Sequence, residues 1–395
     1  MYRWFDASVA SDINNKTWNY SSTHYRCGEL KQLSKLFDAP FLDDLHKSMM
    51  RRVFSAGASI ANLSVELGYI DKMPYAKPGV ADKREIGDAI IFGIEEIISP
   101  SGVIISSNAR AVVLQAKIAT SKMQLSAPTI PIQPNTPDSS TRKELDLLSK
   151  WPPFKLYERS RSSGPYISRI FDLAGHKSSP FPFGWYLAAP RTSSPPNPPL
   201  HSVWPSWWML GGAILGQSCD TQFGDFLRTF LQGNKLPTIR GLLEVGASYK
   251  PKGSAGIATD WDVLCQTIYD LVCKNTPSQT VFAGISPLAT GSLAKIKKIP
   301  LSLIFPPYFL LNPIWSTRGG DDIFFKYYNN RASLYNVEFS EDGKIIKYQF
   351  DRFRNDKKHY YKSKKKRNIP VIIIKSIQMM EESEGPVQPL SSEEI

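Results

Sequence analysis

The side chains whose types and spacing suit chemistry lie between residues 86 and 118. In an extended strand, alternate side chains share a face. Gln115 and Lys117 stand two apart in Val112-Val-Leu-Gln-Ala-Lys-Ile118, so they point to one side while Leu114, Ala116 and Ile118 point to the other. Burying an amide without a partner costs roughly 2–7 kcal/mol, so polar groups in an apolar strand call for an anion or a metal beside them. Asp88 heads a second strand-like run, Ile86-Gly-Asp-Ala-Ile-Ile-Phe92. If the two runs pair, Asp88, Gln115 and Lys117 meet at one end of a sheet. Phosphodiester hydrolysis needs a metal that polarises a phosphate oxygen, an activated water, and a group that offsets developing charge. Asp88 offers a hard oxygen ligand for Mg²⁺, the Gln115 side-chain carbonyl a weaker one, and the backbone carbonyl of Ala116 a third. Lys117 would orient or deprotonate the water, or stabilise the pentacoordinate phosphate.

These residues resemble the PD-(D/E)xK, or restriction-endonuclease-like, nuclease superfamily. Gly87-Asp88 stands in the place of the PD half-motif, and Gln115-Ala116-Lys117 in the place of (D/E)xK, in its QxK variant. The likeness covers about residues 50–125. It implies a restriction-endonuclease-like mixed sheet core flanked by helices. It also implies an Mg²⁺- or Mn²⁺-dependent endonuclease acting on DNA, of a restriction or phage-defence type. The family often places a glutamate on the helix upstream, and Glu66 is the candidate here, joining Asp88 and Gln115 as a metal ligand. Gly87 replaces a proline that does no chemistry. Gln115 replaces an acid and so removes one negative charge, which Glu66 or Glu85 would have to supply; Asp82 is a further acid nearby. The alternative is a catalytically weak or inactive nuclease-fold protein that serves as a nucleic-acid-binding or assembly subunit.

The elements that must position these residues follow from local patterns. Leu30, Leu33 and Leu36, then Phe41, Leu45, Met49 and Val53, recur at helical spacing after a polar lead-in over residues 1–30. Ile60, Leu63 and Leu67 extend the helical reading over Phe54 to Leu67, with Gly68 as its stop. Four prolines mark residues 126–139 as a connector, and a short helix follows at about 141–150. Further on, a helix is expected at Phe223–Leu231 and another from Trp261, capped by Asp260. A hairpin is expected over Val337–Tyr348 and a strand over Ile369–Ile374. The chain is accordingly expected to be α/β: a nuclease-like core with N-terminal helices over 1–125, a proline-rich connector over 126–153, an accessory α+β region over 154–375 able to pack on the core, and a disordered acidic tail over 376–395.

The bulk numbers narrow the class. The chain has 395 residues, 42% of them hydrophobic, which is enough for a core and excludes global disorder. Its 48 Lys+Arg against 36 Asp+Glu give a formal charge of +12, a balance that favours polyanionic partners through counterion release. The run from Lys357 to Arg367 interleaves aromatics with cations. There Lys358, Tyr360, Lys362, Lys364, Lys365, Lys366 and Arg367 are candidate contacts to nucleic acid, DNA before RNA, by charge and base stacking. A protein partner, a regulatory subunit or self-association remains open. The four cysteines form no CxxC pair, which argues against zinc and fits a reducing cytoplasm. The first residues lack the basic and apolar regions of a signal peptide, and no later stretch reads as a membrane span. Trp204, Trp207 and Trp208 read as core packing rather than a binding platform. No GxSxG, P-loop or GxGxxG pattern occurs, so a small-molecule hydrolase or transferase finds no motif.

Overall fold

The computed structural model describes residues 2–275 apart from 38, 57–59, 71–73, 100–103, 123–125, 158–161, 174–180, 194, 197, 239–240 and 252–255, and beyond these the segments 281–284, 335–339, 345–350 and 369–379. Its helices are α1 (Ala7–Ser22), α2 (Glu29–Leu33), α3 (Ala39–Ala56), α4 (Ser140–Lys150), α5 (Pro198–Val203), α6 (Phe223–Gln232) and α7 (Asp260–Asn275), with a 3₁₀ turn at Ser34–Phe37. The strands come in the order β1 (Ile60–Ile70), β2 (Tyr75–Pro78), β3 (Arg84–Glu85), β4 (Ala89–Ile98), β5 (Ile104–Lys122), β6 (Phe154–Tyr157), β7 (Ile170–Phe171), β8 (Gly184–Arg191), β9 (Met209–Gly212), β10 (Thr221–Gln222), β11 (Lys235–Thr238), β12 (Gly241–Glu244), β13 (Ala247–Tyr249), β14 (Val281–Gly284), β15 (Tyr335–Phe339), β16 (Ile345–Phe350) and β17 (Ile369–Met379).

The protein is a mixed α/β structure built on one curled nine-stranded sheet in the order β10-β9-β8-β5-β4-β17-β1-β14, with β13 also paired to β5. The β5–β8 and β4–β17 pairs are parallel, and the other pairs of this sheet are antiparallel. Strands buried on both faces read as apolar runs, as Ala89-Ile-Ile-Phe92 and Val371-Ile-Ile-Ile374 do. Helix α6 covers one face, where Trp185 meets Phe226 and Gly93 faces Phe230 and Leu231. Helices α4 and α7 cover the other, where Leu148 packs on Gly184 and Tyr269 on Phe92. A four-stranded sheet, β3-β2-β6-β7, lies in the chain directly before Asp88 and after α4. Among the described residues no helix is long and apolar enough to cross a membrane.

Most of the expected elements are present, and β4, β5 and β17 run longer than the sequence patterns suggested. The β15–β16 hairpin pairs from Tyr335↔Phe350 onward, as expected for Val337–Tyr348. Three expectations need correction. Residues 1–30 are not an irregular lead-in, because α1 forms there. Asp6 caps it by accepting from the N–H groups of Ser8 and Val9, and Val9, Ala10 and Ile13 bury its inner face.

The segment leading to Glu66 is strand β1, not a helix. Leu63, Val65, Leu67 and Tyr69 also alternate at period two, and pairing with β17 over Ile60–Ile70 selects that reading over the helical one. At the start of α7 the cap is Thr259 rather than Asp260. Thr259 Oγ1 accepts from the Asp262 N–H at 3.2 Å and Asp262 Oδ2 accepts from the Thr259 N–H at 2.7 Å, a reciprocal box. Asp260 instead pairs with Arg169 and accepts from the Asp172 N–H.

The nine-stranded sheet takes β1, β4 and β5 from the first 125 residues and β8, β9, β10, β13, β14 and β17 from 154–379. The accessory region therefore supplies strands to the core sheet itself, and β17 carries ordered structure three residues past the start expected for the tail. The rest of that tail, and the basic run Lys357–Arg367, lie outside the described residues.

Candidate functional site

Asp88 is set by a close backbone approach. A Cβ on Gly87 would lie 2.4 Å from Val113 Cγ1 and 2.9 Å from the Leu114 carbonyl oxygen, so only glycine lets the chain press flat against β5 there. The Asp88 N–H then donates to the Leu114 carbonyl at 2.8 Å, and β4 continues from Ala89 opposite Leu114. This register puts Asp88 beside Gln115. The Gln115 amide donates to Asp88 Oδ2, and the Ala116 N–H donates to the same oxygen at 2.9 Å.

Asp88, Gln115 and Lys117 are all buried. Burial pushes the Asp88 carboxyl up to about 7. The Lys117 charge and the Ala116 N–H pull it down, and the carboxylates of Glu29 and Glu144 push it up again.

Lys117 points to the same side as Gln115 and is clamped by two acids. Its Nζ lies 2.9 Å from Glu144 Oε2 and 3.9 Å from Glu29 Oε1. Burial alone would lower its pKa, but Glu29, Glu144 and Asp88 outweigh this and raise it. Lys117 is thus held as a cation and is no ready base at neutral pH. Glu29 opens α2 just after Gly28, and its Oε2 accepts from the Ile118 N–H at 3.2 Å. Its own carboxyl is raised, first by burial, against the pull of Lys117.

Glu144 is placed by α4. Ser139 caps this helix by accepting from the Arg142 N–H, and Leu148, one turn beyond Glu144, seats on Gly184, where an added Cβ would meet Leu148 Cδ2 at 2.9 Å. Tyr186 stands two residues beyond Gly184, in register with Gln115 and on the same face of the sheet.

Asp88, Gln115 and Lys117 therefore come together as the sequence pattern expected. Glu66 does not join them. It stands on β1 opposite Ile373 of β17, which in turn pairs with Phe92 of β4, so a whole strand separates it from the Asp88 strand. Glu85 accepts from the Tyr75 hydroxyl at 3.0 Å, and exposed Asp82 pairs with Lys143 at 3.0 Å. The three tryptophans are fully buried, as the core reading held, and Trp207 Nε1 donates to Gln32. Sequence reasoning missed Glu29, Glu144 and Tyr186. Each sits on an element remote in the chain from the strand it faces. The one local signal was the Glu144–Leu148 spacing, which marks a helix face but not what that face meets.

The donor set at Asp88 and Gln115 consists of hard oxygens, as Mg²⁺ or Mn²⁺ requires. Gln115 Oε1 is buried and has no hydrogen-bond partner among the described residues, an open acceptor beside a carboxylate whose charge is disfavoured. A divalent ion on Asp88 and Gln115 Oε1 would satisfy both conditions, so the two residues fit such an ion. Among the described residues no group of three His, Cys, Asp or Glu is placed to hold a metal, so the carboxylate count is low. No protein-family model, curated protein or solved structure matches the chain.

Proposed function

We propose that this chain is a divalent-metal-dependent nuclease of the PD-(D/E)xK class in its QxK form, and that it hydrolyses phosphodiester bonds of DNA. The observation that carries the reading is the convergence of Asp88, Gln115 and Lys117 on the paired ends of β4 and β5, with Asp88 Oδ2 bonded to both the Gln115 amide and the Ala116 N–H. The nine-stranded mixed sheet is then an enlarged restriction-endonuclease-like core, with α3 as the helix upstream of the Asp strand. The setting that suits such a chain is a cytoplasmic restriction or phage-defence effector, with the basic run Lys357–Arg367 and the +12 charge holding the polyanion.

Asp88 and Gln115 would hold Mg²⁺ or Mn²⁺. The ion would polarise a phosphate oxygen and lower the pKa of a bound water. The Lys117 ammonium, fixed by Glu144 and Glu29, faces the charge that grows on the phosphate and stabilises it in a site closed to bulk water. Because Lys117 stays charged, the water's proton goes to a carboxylate. Glu29 Oε1, raised by burial, is the better base than an ordinary acid.

A second reading, a nucleic-acid-binding or assembly subunit without turnover, is favoured by one observation: a single carboxylate, Asp88, stands with a neutral glutamine where two acids would bind a metal more tightly. Incubation with supercoiled plasmid and with single-stranded DNA under Mg²⁺ or Mn²⁺ separates the two. Nicking or linearisation is expected. No cleavage with either metal, together with DNA binding by Lys117→Ala equal to wild type, would leave the second reading standing.

A further inference from the structure

The row of residues that starts at Asp88 and Gln115 continues onto β8. Parallel pairing sets Gln115 opposite Tyr186, and β8–β9 pairing sets Tyr186 opposite Gly211. Residues in register on neighbouring strands share a face, so Asp88, Gln115 and Tyr186 lie side by side under α4. Tyr186 is fully buried, yet its hydroxyl has no hydrogen-bond partner among the described residues. On its far side a Cβ added to Gly211 would lie 2.8 Å from the Ser218 carbonyl oxygen and 3.0 Å from the Cys219 thiol, and the Tyr186 hydroxyl bonds neither.

Leaving a buried hydroxyl unpaired costs about 1–3 kcal/mol, and phenylalanine would pack there without that cost. Two orphaned groups thus stand on register partners of neighbouring strands. Gln115 Oε1 needs a cation or a donor, and Tyr186 Oη needs an oxygen acceptor. The acids around Tyr186, Glu144 and Asp88 among them, add to burial in keeping its proton on, so the phenol is a donor. Lys117 is already engaged by Glu144. A phosphate group carrying a divalent metal supplies a cation to the amide oxygen and an acceptor oxygen to the phenol together; a single water, the alternative that the unliganded variant tests below, would also satisfy both.

We propose that Tyr186 is a substrate-binding residue of this site, donating its hydroxyl to a nonbridging phosphate oxygen while Asp88 and Gln115 hold the metal. The proposal rests on the nuclease reading of the Asp88 site and adds a phosphate contact that its motif does not contain. The hydroxyl is unsatisfied until phosphate arrives, so its removal relieves the free protein and weakens only the complex.

The test compares the full chain with Tyr186→Phe, using inorganic phosphate with Mg²⁺ as the probe and the thermal unfolding midpoint as the readout. Without ligand, the variant is expected to melt at or above the wild-type midpoint. The phosphate concentration giving half the ligand-induced shift is expected to rise at least tenfold, with the shift from Mg²⁺ alone unchanged. A midpoint several degrees lower in the unliganded variant would mean that a resident water already satisfies the hydroxyl, and would overturn the proposal. So would an unchanged phosphate response, or a wild type with none. The nuclease reading is scored separately. A wild type that binds phosphate through Tyr186 but cuts no DNA refutes that reading alone. A wild type that cuts DNA, with Tyr186→Phe cutting and binding equally well, refutes this proposal alone.

Discussion

At the scale of single residues the site turns on how a buried carboxylate and a neutral amide share one charge. Asp88 is raised by burial from its ordinary 3.8 to about 7, so the fold favours its protonated form. The stability this lends is fully present below about pH 3.8 and is lost as pH rises through about 7. Metal-free protein should therefore lose stability between about pH 4 and pH 7 by up to roughly 1.4 kcal/mol per pH unit from this residue. Asp88→Asn should flatten that slope, and Mg²⁺ should offset it in wild type; denaturant unfolding across the pH range measures both. Equal slopes in wild type and variant would mean that Asp88 is ionised and satisfied without metal. Gln115→Glu adds a negative charge beside Asp88, the one that the proposed metal site would otherwise have to do without. It should keep or raise Mg²⁺-dependent cleavage, while lowering the melting temperature of the metal-free protein by placing a second carboxylate against Asp88. Loss of cleavage in a folded Gln115→Glu variant would assign the amide a specific role.

At the scale of elements, positioning depends on backbone fit. Gly87 lets the chain lie against β5, and Gly184 lets α4 settle so that Glu144 reaches Lys117. In Gly87→Ala the new Cβ would meet the Leu114 carbonyl at 2.9 Å, and backbone yields less readily than the Val113 methyl. Calorimetric titration should show Mn²⁺ affinity falling at least tenfold with the fold intact; unchanged affinity would show that Asp88 tolerates the shift. Leu148→Ala should cost about 2–5 kcal/mol in denaturant unfolding and loosen Glu144 from Lys117.

These elements also show what the sequence revealed. The Asp88 strand and the Gln115–Lys117 strand were legible because a polar pair at spacing two in an apolar run places both side chains on one buried face, where they need a shared partner. Glu66 misled because Ile60, Leu63 and Leu67 fit a helix as well as a strand, and only pairing with β17, over 300 residues away in the chain, decides between them. Glu29, Glu144 and Tyr186 were invisible because their roles arise from packing between distant segments, which leaves no local pattern.

At the scale of the whole molecule, the sheet binds the two ends of the chain together. Strand β17 lies between β1 and β4 and runs parallel to β4 from Val371↔Ile90 to Met379↔Ile98, with Val371, Ile372, Ile373 and Ile374 all buried. A boundary drawn near residue 125 from the proline-rich connector is thus a boundary in sequence and not in the core. A chain ending at residue 350 should lose cooperative unfolding, whereas one ending at residue 381 should keep it; far-UV circular dichroism on heating distinguishes them. Cooperative folding of the shorter chain would show that β17 is dispensable.

The function proposed for Asp88, Gln115 and Lys117 is that of a metal-dependent phosphodiesterase site. Its most direct test is the single-turnover rate of plasmid cleavage in Mg²⁺ for wild type and for a folded Lys117→Ala variant. Cleavage by wild type and a loss of at least about 100-fold, close to 3 kcal/mol, in the variant are expected. Equal rates for the two proteins, or no cleavage by wild type in Mg²⁺ or Mn²⁺, would contradict it.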